Sequence, residues 1–196
     1  MSHYFTNDKV KSNEKIINIK IKELDLKFTV DNGVFSKKGL DFGTRTLLES
    51  IDINMIKGDI LDFGCGYGPV GIYIAKKTNQ KVDMADINER ALNLSKKNAK
   101  INNASVNIFK TNIFSNINKK YDYIITNPPI RVGKKILYEI IFKSLEHLKE
   151  NGKLFLVINK NQGAKTLLKD LSENYRVNII NKNKGFYVIE AQNRWQ

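Results

Sequence analysis

Residues 60–71 read Ile-Leu-Asp-Phe-Gly-Cys-Gly-Tyr-Gly-Pro-Val-Gly. An apolar pair meets the acid Asp62, glycines alternate at Gly64, Gly66 and Gly68, and an apolar helical pattern starts near Pro69. That order predicts a strand, a glycine turn and a helix. Glycine is used where the backbone bends sharply and must approach a ligand without a Cβ in the way. The helix start beyond it offers free N–H groups. Two ligand classes fit. Gly66, Gly68 and Gly71 satisfy the dinucleotide spacing G-x-G-x-x-G, and Asp86 follows at about the ~20-residue distance of the ribose-binding acid. Yet Asp62 stands at the strand's end, where a pyrophosphate would be repelled and a ligand with an ammonium end would be held.

The remaining chain sets this turn in an alternation of strands and helices. Residues 16–22 and 24–30 alternate apolar and polar, and a turn signal follows at Asp31, Asn32 and Gly33, so a β-hairpin precedes the rest. A helix is expected over 43–51 with Asp41 as its N-cap. After the glycine turn come a helix to about residue 77, a strand over 81–86, a helix over 88–102, and strands over 105–110 and 121–126. A helix over 136–149, stopped by Asn151 and Gly152, leads to an apolar strand over 153–158. A helix over 166–173 and a final strand pair, 177–180 and 186–191, close the chain. Such alternation implies a doubly wound, mostly parallel sheet, with ligands bound beyond the carboxyl ends of the strands. The rule gathers four loops into one crevice: 62–68, 86–87, 112–113 and 127–130.

Composition narrows the partners. The net charge is +13, a balance that attracts polyanions, nucleic acid first among them. The joint wealth of Lys, Asn and Ile also has the look of AT-rich coding, so the charge has two readings. At 196 residues the chain can bury a sizeable core. No apolar run reaches the ~18–20 residues of a membrane span, and no apolar signal core opens the chain. The lone Cys65 rules out an intrachain disulfide and fits a reducing cytoplasm. His3 and His147 are far apart and expected at the surface, so no metal is expected.

The last of the four loops carries the chemistry. In Asn127-Pro128-Pro129-Ile130 two prolines fix φ and remove two N–H donors. What remains is a rigid rim of acceptors, the Asn127 side-chain oxygen and the Pro128 carbonyl. A planar exocyclic amine offers two N–H donors to such a rim. Held by both, it is drawn toward pyramidal geometry with its lone pair aimed at an electrophilic methyl group. Taken alone, Pro-Pro could simply end a strand. A dehydrogenase has no use for an acceptor rim at this place.

Taken in order, the segments G-V-F-S-K-K-G-L-D-F-G-T-R-T-L-L, L-D-F-G-C-G-Y-G-P-V-G, D-I-N-E-R-A, T-N-I-F-S and N-P-P-I-R-V-G-K-K resemble the small-domain, class I S-adenosylmethionine (SAM) methyltransferases related to bacterial small-subunit rRNA (guanine-N2) methyltransferases, in single-domain form. The resemblance implies a seven-stranded Rossmann-like methyltransferase sheet over 33–196, with 1–32 as an N-terminal hairpin extension. It implies SAM as cofactor. Asp62, Gly64, Gly66 and Gly68 would surround its methionine end, Asp86 its ribose, and Ile87 its adenine. Asn112, where many relatives carry Asp, would bond the adenine amine beside Ile113. Gly43 and Thr44 would close over the cofactor. Asn127, Pro128 and Pro129 would be catalytic, with Arg131, Lys134, Lys135 and Phe35 reaching the substrate. The implied partner is ribosomal RNA or the small subunit, with monomer and homodimer both open. The two-domain rRNA enzymes carry a further N-terminal domain absent from this match, so substrate choice does not follow with the cofactor site. An adenine in DNA or RNA, a protein glutamine, and a non-catalytic RNA-binding assembly factor stand as alternatives.

Overall fold

The computed structural model describes residues 11–32, 39–129 and 132–193. Two antiparallel strands, β1 (Lys15–Ile21) and β2 (Leu24–Val30), form the expected hairpin. The main sheet contains β3 (Ile60–Phe63), β4 (Val82–Asp86), β5 (Val106–Lys110), β6 (Tyr121–Thr126), β7 (Leu148–Asn159), β8 (Tyr175–Asn183) and β9 (Phe186–Asn193), seven strands in the order β5-β4-β3-β6-β7-β9-β8. The first five run parallel, while β9 is antiparallel to both β7 and β8. Strand order reverses between β3 and β6, so the loops after these two strands face each other across a switch point. The Thr126 hydroxyl closes that junction, donating to the Phe63 carbonyl at 2.8 Å.

Helices α1 (Phe42–Ser50), α2 (Pro69–Thr78) and α3 (Glu89–Ile101) cover one face together with the hairpin. Helices α4 (Gly133–Glu146) and α5 (Ala164–Ser172) cover the other. The period-2 geometry of strands sorts the side chains between the two layers. Leu154, Leu156 and Ile158 of β7 pack toward α4 and α5, and Phe155 and Val157 pack toward α1. Among the described residues no helix is long and apolar enough to cross a membrane.

The hairpin is fastened to α3 by polar side chains. Asn98 accepts from the Thr29 N–H at 2.6 Å and donates to the Thr29 carbonyl at 2.9 Å. Asn102 treats Lys27 in the same way, at 3.0 and 2.7 Å. Four residues of helix rise about 6 Å and two residues of strand about 6.8 Å, so the two amides meet alternate residues of β2 and satisfy its open edge. Asn98 also donates to the Tyr67 carbonyl at 2.8 Å, which joins the hairpin to the glycine turn. Near the start of α3, Arg90 binds the buried Asp31 at 2.7 Å.

The junction of α4 and β7 differs from expectation. α4 ends at Glu146, and Asn151 and Gly152 lie inside β7 instead of stopping the helix. His147 explains the earlier exit. Its ring meets the Lys143 and Ile117 carbonyls at 2.7 and 2.9 Å and stacks on Phe114 at 4.5 Å. Its own carbonyl accepts from Tyr121 N–H at 2.8 Å and leads the chain into the sheet. His147 is thus a partly buried tie between helix and loop, and the expectation of a surface histidine is corrected.

Candidate active site

β3 delivers Asp62 on the face covered by α2. There its Oδ2 accepts from the Gly71 N–H at 2.8 Å, in the first turn of that helix. Gly68 caps α2 without a side chain, so Asp62 acts in place of a capping residue. Gly71 permits this approach. A Cβ there would lie 2.6 Å from Met84 and 3.1 Å from the Asp62 carboxylate. Gly64 and Gly66 have φ of +72° and +57° and open space where a Cβ would point. Their backbone is therefore bare toward the cleft.

Asp62 is 1% exposed. Burial pushes its carboxyl up to about 7, the nearby Asp86 charge adds to the rise, and the Gly71 hydrogen bond offsets only part of it. Asp86 is raised too, by burial first, against N–H donors from Asn88, Gly66 and Ile87. Its two oxygens accept from Gly66 N–H at 2.9 Å and Asn88 N–H at 2.8 Å. A donor or cation brought to either acid would favour its charged form. The Cys65 thiol is buried and shifted well upward, chiefly by that burial, which leaves it a packing residue.

The cleft has two arms that share Gly64, Asp86, Asn127 and Pro129. The narrower arm is bounded by Asp41, Thr44, Asp62, Gly66 and Tyr67. The Tyr67 hydroxyl is buried with no hydrogen-bond partner among the described residues. The wider arm, about 310 Å³, is walled by Phe63, Ile87, Ile113, Val132 and Ile136. Asn112 borders it, and Ile113 holds a φ of +53°, a strained conformation for a β-branched residue. An acid and a spare hydroxyl in one arm, an acid at the junction and an apolar slot in the other match an amino-acid end, a ribose and a flat base in that order.

Asn127 stands where the arms meet. Its Nδ2 donates to Thr44 Oγ1 at 2.9 Å and to Asp41 Oδ1 at 3.2 Å. A carboxylate can only accept, so the amide orientation is decided by chemistry. Both amide hydrogens are spent on α1, and Oδ1 accepts nothing from the described residues. Asp41 holds this position as the N-cap of α1, accepting from Thr44 N–H at 3.0 Å.

Of the residues expected at the site, Asp62, Gly64, Gly66, Asp86, Ile87, Asn112, Ile113, Thr44, Asn127, Pro128 and Pro129 line the cleft. Gly68 lies behind it, where a Cβ would press on Ile72 and Ser95. Gly43 packs under the Phe186 ring. Lys134 borders a separate cavity beyond Pro129, and Lys135 is exposed next to it. Phe35 and Arg131 lie outside the described residues. Sequence reasoning missed Tyr67 and the contact of Asp41 with Asn127. It also missed Val132 and Ile136, because α4 starts at Gly133, three residues before the expected start. The glycine of R-V-G-K-K could have signalled that start.

A switch-point cleft shaped for a nucleoside-bearing cofactor, with an oriented amide acceptor at its centre, defines a Rossmann-like group-transfer enzyme. Residues 25–190 match the family profile "Methyltransferase small domain". The chain belongs to that family and is a SAM-dependent methyltransferase. It is 43% identical to an uncharacterized Bacillus subtilis protein, YbxB, over 98% of this chain and 99% of that one. Ribosomal RNA small subunit methyltransferase C of Psychromonas ingrahamii is 41% identical over 65% of this chain, and that of Haemophilus influenzae 39% over 74%. The chain spans only 38% and 45% of those two proteins. A solved T. thermophilus 16S rRNA N2 G1207 methyltransferase, in complex with AdoMet and guanosine, superimposes with a TM-score of 0.81 over 92% of this chain and 51% of its own. At 21% identity, that likeness is one of fold.

Proposed function

We propose that the protein methylates an exocyclic amine of RNA, and that its target is guanine N2 of 16S ribosomal RNA. The carrying observation is the locked Asn127 amide, whose free Oδ1 is an acceptor for an N–H of the incoming amine. The +13 charge and the relatives named as small-subunit rRNA methyltransferases support a ribosomal RNA substrate.

SAM supplies an electrophilic methyl when bound. Asp62 would hold its ammonium, the Tyr67 hydroxyl its carboxylate, and Asp86 its ribose hydroxyls. The apolar slot with Ile87 and Ile113 would take the adenine, and Asn112 would bond its amine. Asn127 Oδ1 and the Pro128 carbonyl hold the two hydrogens of the target amine and turn its lone pair toward the methyl. Once methylated the amine would be acidic, and one of its protons would pass to water or the rim. No strong base is needed. Positioning of this kind supplies several kcal/mol, up to about 7–11 in ideal cases.

The test is transfer from labelled SAM to unmethylated small subunits, naked 16S rRNA and duplex DNA in parallel, with nucleoside analysis of the products. N2-methylguanine from RNA is the expected result. N6-methyladenine from DNA alone would overturn the assignment. Cofactor binding without transfer to any of the three would place the substrate elsewhere.

A further inference from the structure

We propose that the β8–β9 turn and the segment after β7 form a clamp for single-stranded RNA beside the target-amine rim, built on Lys160, Lys182 and Lys184 with the rings of Phe42 and Tyr187. The inference rests on the RNA reading above and extends it to the surface that holds the strand.

Topology brings the turn to the site. β8 runs in the direction of the parallel strands, so its turn into β9 lies at their carboxyl end, beside the cofactor loops. Lys184 and Gly185 hold φ of +45° and +84°, the signs of a type I′ two-residue turn, which sets a hairpin tip rigidly. The tip is pinned twice. Lys160 N–H donates to the Gly185 carbonyl at 2.7 Å, and Phe186 packs on Phe42 at 5.6 Å. Phe42 follows Asp41, the residue bonded to Asn127. Tip and acceptor rim are therefore fixed to the same helix end.

The exposed groups at this tip suit a nucleic-acid strand. Lys184 Nζ lies 5.3 Å from the Phe42 ring centre and Lys182 Nζ lies 4.9 Å from that of Tyr187. The Lys160 stem runs alongside Gly185. Across the rim, Lys134 and Lys135 are exposed at the start of α4. Among the described residues none of these five lysines is ion-paired to a carboxylate. Elsewhere Lys119 and Lys149 share Asp59, and Lys153 holds Glu190. A cavity of about 440 Å³ lies next to Lys134 and to the segment that follows Lys160, bordered by Pro128, Pro129, Lys134, Asn161 and Gln162. Phosphates can meet the lysines while bases stack on the half-buried rings, the combination by which single strands are held. Duplex has no unstacked base to offer those rings.

The experiment compares two triple variants of equal charge. Lys160→Gln, Lys182→Gln and Lys184→Asn together remove the clamp; asparagine suits the left-handed turn position. Lys57→Gln, Lys81→Gln and Lys120→Gln together remove exposed lysines just before β3, β4 and β6, at the opposite end of the sheet. Binding of a single-stranded fragment of 16S rRNA is followed by fluorescence anisotropy across a salt series, with SAM affinity measured alongside. The clamp variant is expected to lose about tenfold or more in RNA affinity. Its salt slope should fall by roughly 2, at about 0.7 per phosphate contact on a single strand. SAM affinity should be unchanged, and the opposite-end variant should lose under about threefold. Equal losses in the two variants, or none in the clamp variant, would overturn the clamp and leave the RNA reading standing. A wild-type protein that binds duplex DNA and not the RNA fragment would overturn both.

Discussion

Replacing Asp62 with asparagine should make the cofactor-free protein more stable and bind its cofactor less well. The carboxyl is buried, and its folded pKa of about 7 stands against an ordinary 3.8. One pKa unit is worth about 1.4 kcal/mol, so the ionised group costs the ligand-free protein about 4 kcal/mol above neutrality. The sign follows from proton binding. The folded state holds this proton more tightly than the unfolded one, so stability from this group is greatest below pH 3.8 and is lost as pH rises through 7. An asparagine side chain is the same size, and its oxygen can still accept from Gly71 N–H, with no charge to bury. Asp62→Asn should therefore melt above wild type. The gap should widen by roughly 2–3 kcal/mol between pH 5 and pH 8, or about 4–12 °C in Tm for a chain of this size. Calorimetric melts of both ligand-free proteins across that range measure the gap. SAM titrations at pH 8 should show the variant weaker by roughly tenfold to a hundredfold, the worth of a charged hydrogen bond. Wild-type affinity should climb as pH rises through 7 while the variant stays flatter. A variant that melts below wild type at pH 8, or a gap that does not change with pH, would refute the reasoning.

Asn127→Ala should abolish most methyl transfer while leaving SAM affinity within about threefold, and separate kinetic and binding assays check each half. Asn98→Leu should cost at least about 3 kcal/mol in urea unfolding, because it strips partners from three buried backbone groups at Thr29 and Tyr67. A loss below about 1 kcal/mol would mean that water takes over those bonds. Asp31 behaves oppositely to Asp62: burial would raise it, but donors from Asn13, Arg90, Ser12 and Asn32 hold it down to about 2. Its stabilising contribution is present above pH 3.8 and disappears as pH falls through 2. Asp31→Asn should therefore destabilise at pH 7 and approach wild type in acid melts.

That the glycine turn and Asp86 would meet in one cleft was legible because their determinants are local. The turn from Asp62 to Gly68 and the acid at Asp86 each sit within a few residues of a strand end, where short-range pattern speaks. Asn-Pro-Pro was legible for the same reason. What was hidden is the orientation of Asn127, which depends on Asp41 and Thr44, more than 80 residues earlier. Asp41 could be read as a helix cap from its neighbours. That its carboxylate also fixes an amide at another strand's end is a property of the packed fold. His147 was misplaced on similar grounds, since its partners Phe114 and Ile117 come from a distant loop. On the apolar wall of the wider cleft arm Ile87 and Ile113 were legible, and Val132 and Ile136 were missed with the start of α4 set three residues late.

The asparagine fastening of the hairpin has a consequence for synthesis. β2 leaves the ribosome long before Asn98 and Asn102, which lie 69 and 75 positions after the backbone groups they bind. Until α3 emerges, the nascent chain carries an open strand edge with its apolar face uncovered, the kind of surface that pairs with neighbouring chains. The glycine turn, too, lacks its Tyr67 tie until that moment. Vectorial production thus leaves the glycine turn unfastened until α3 has emerged, and the stretch of synthesis before that is the span in which a chaperone would be of most use.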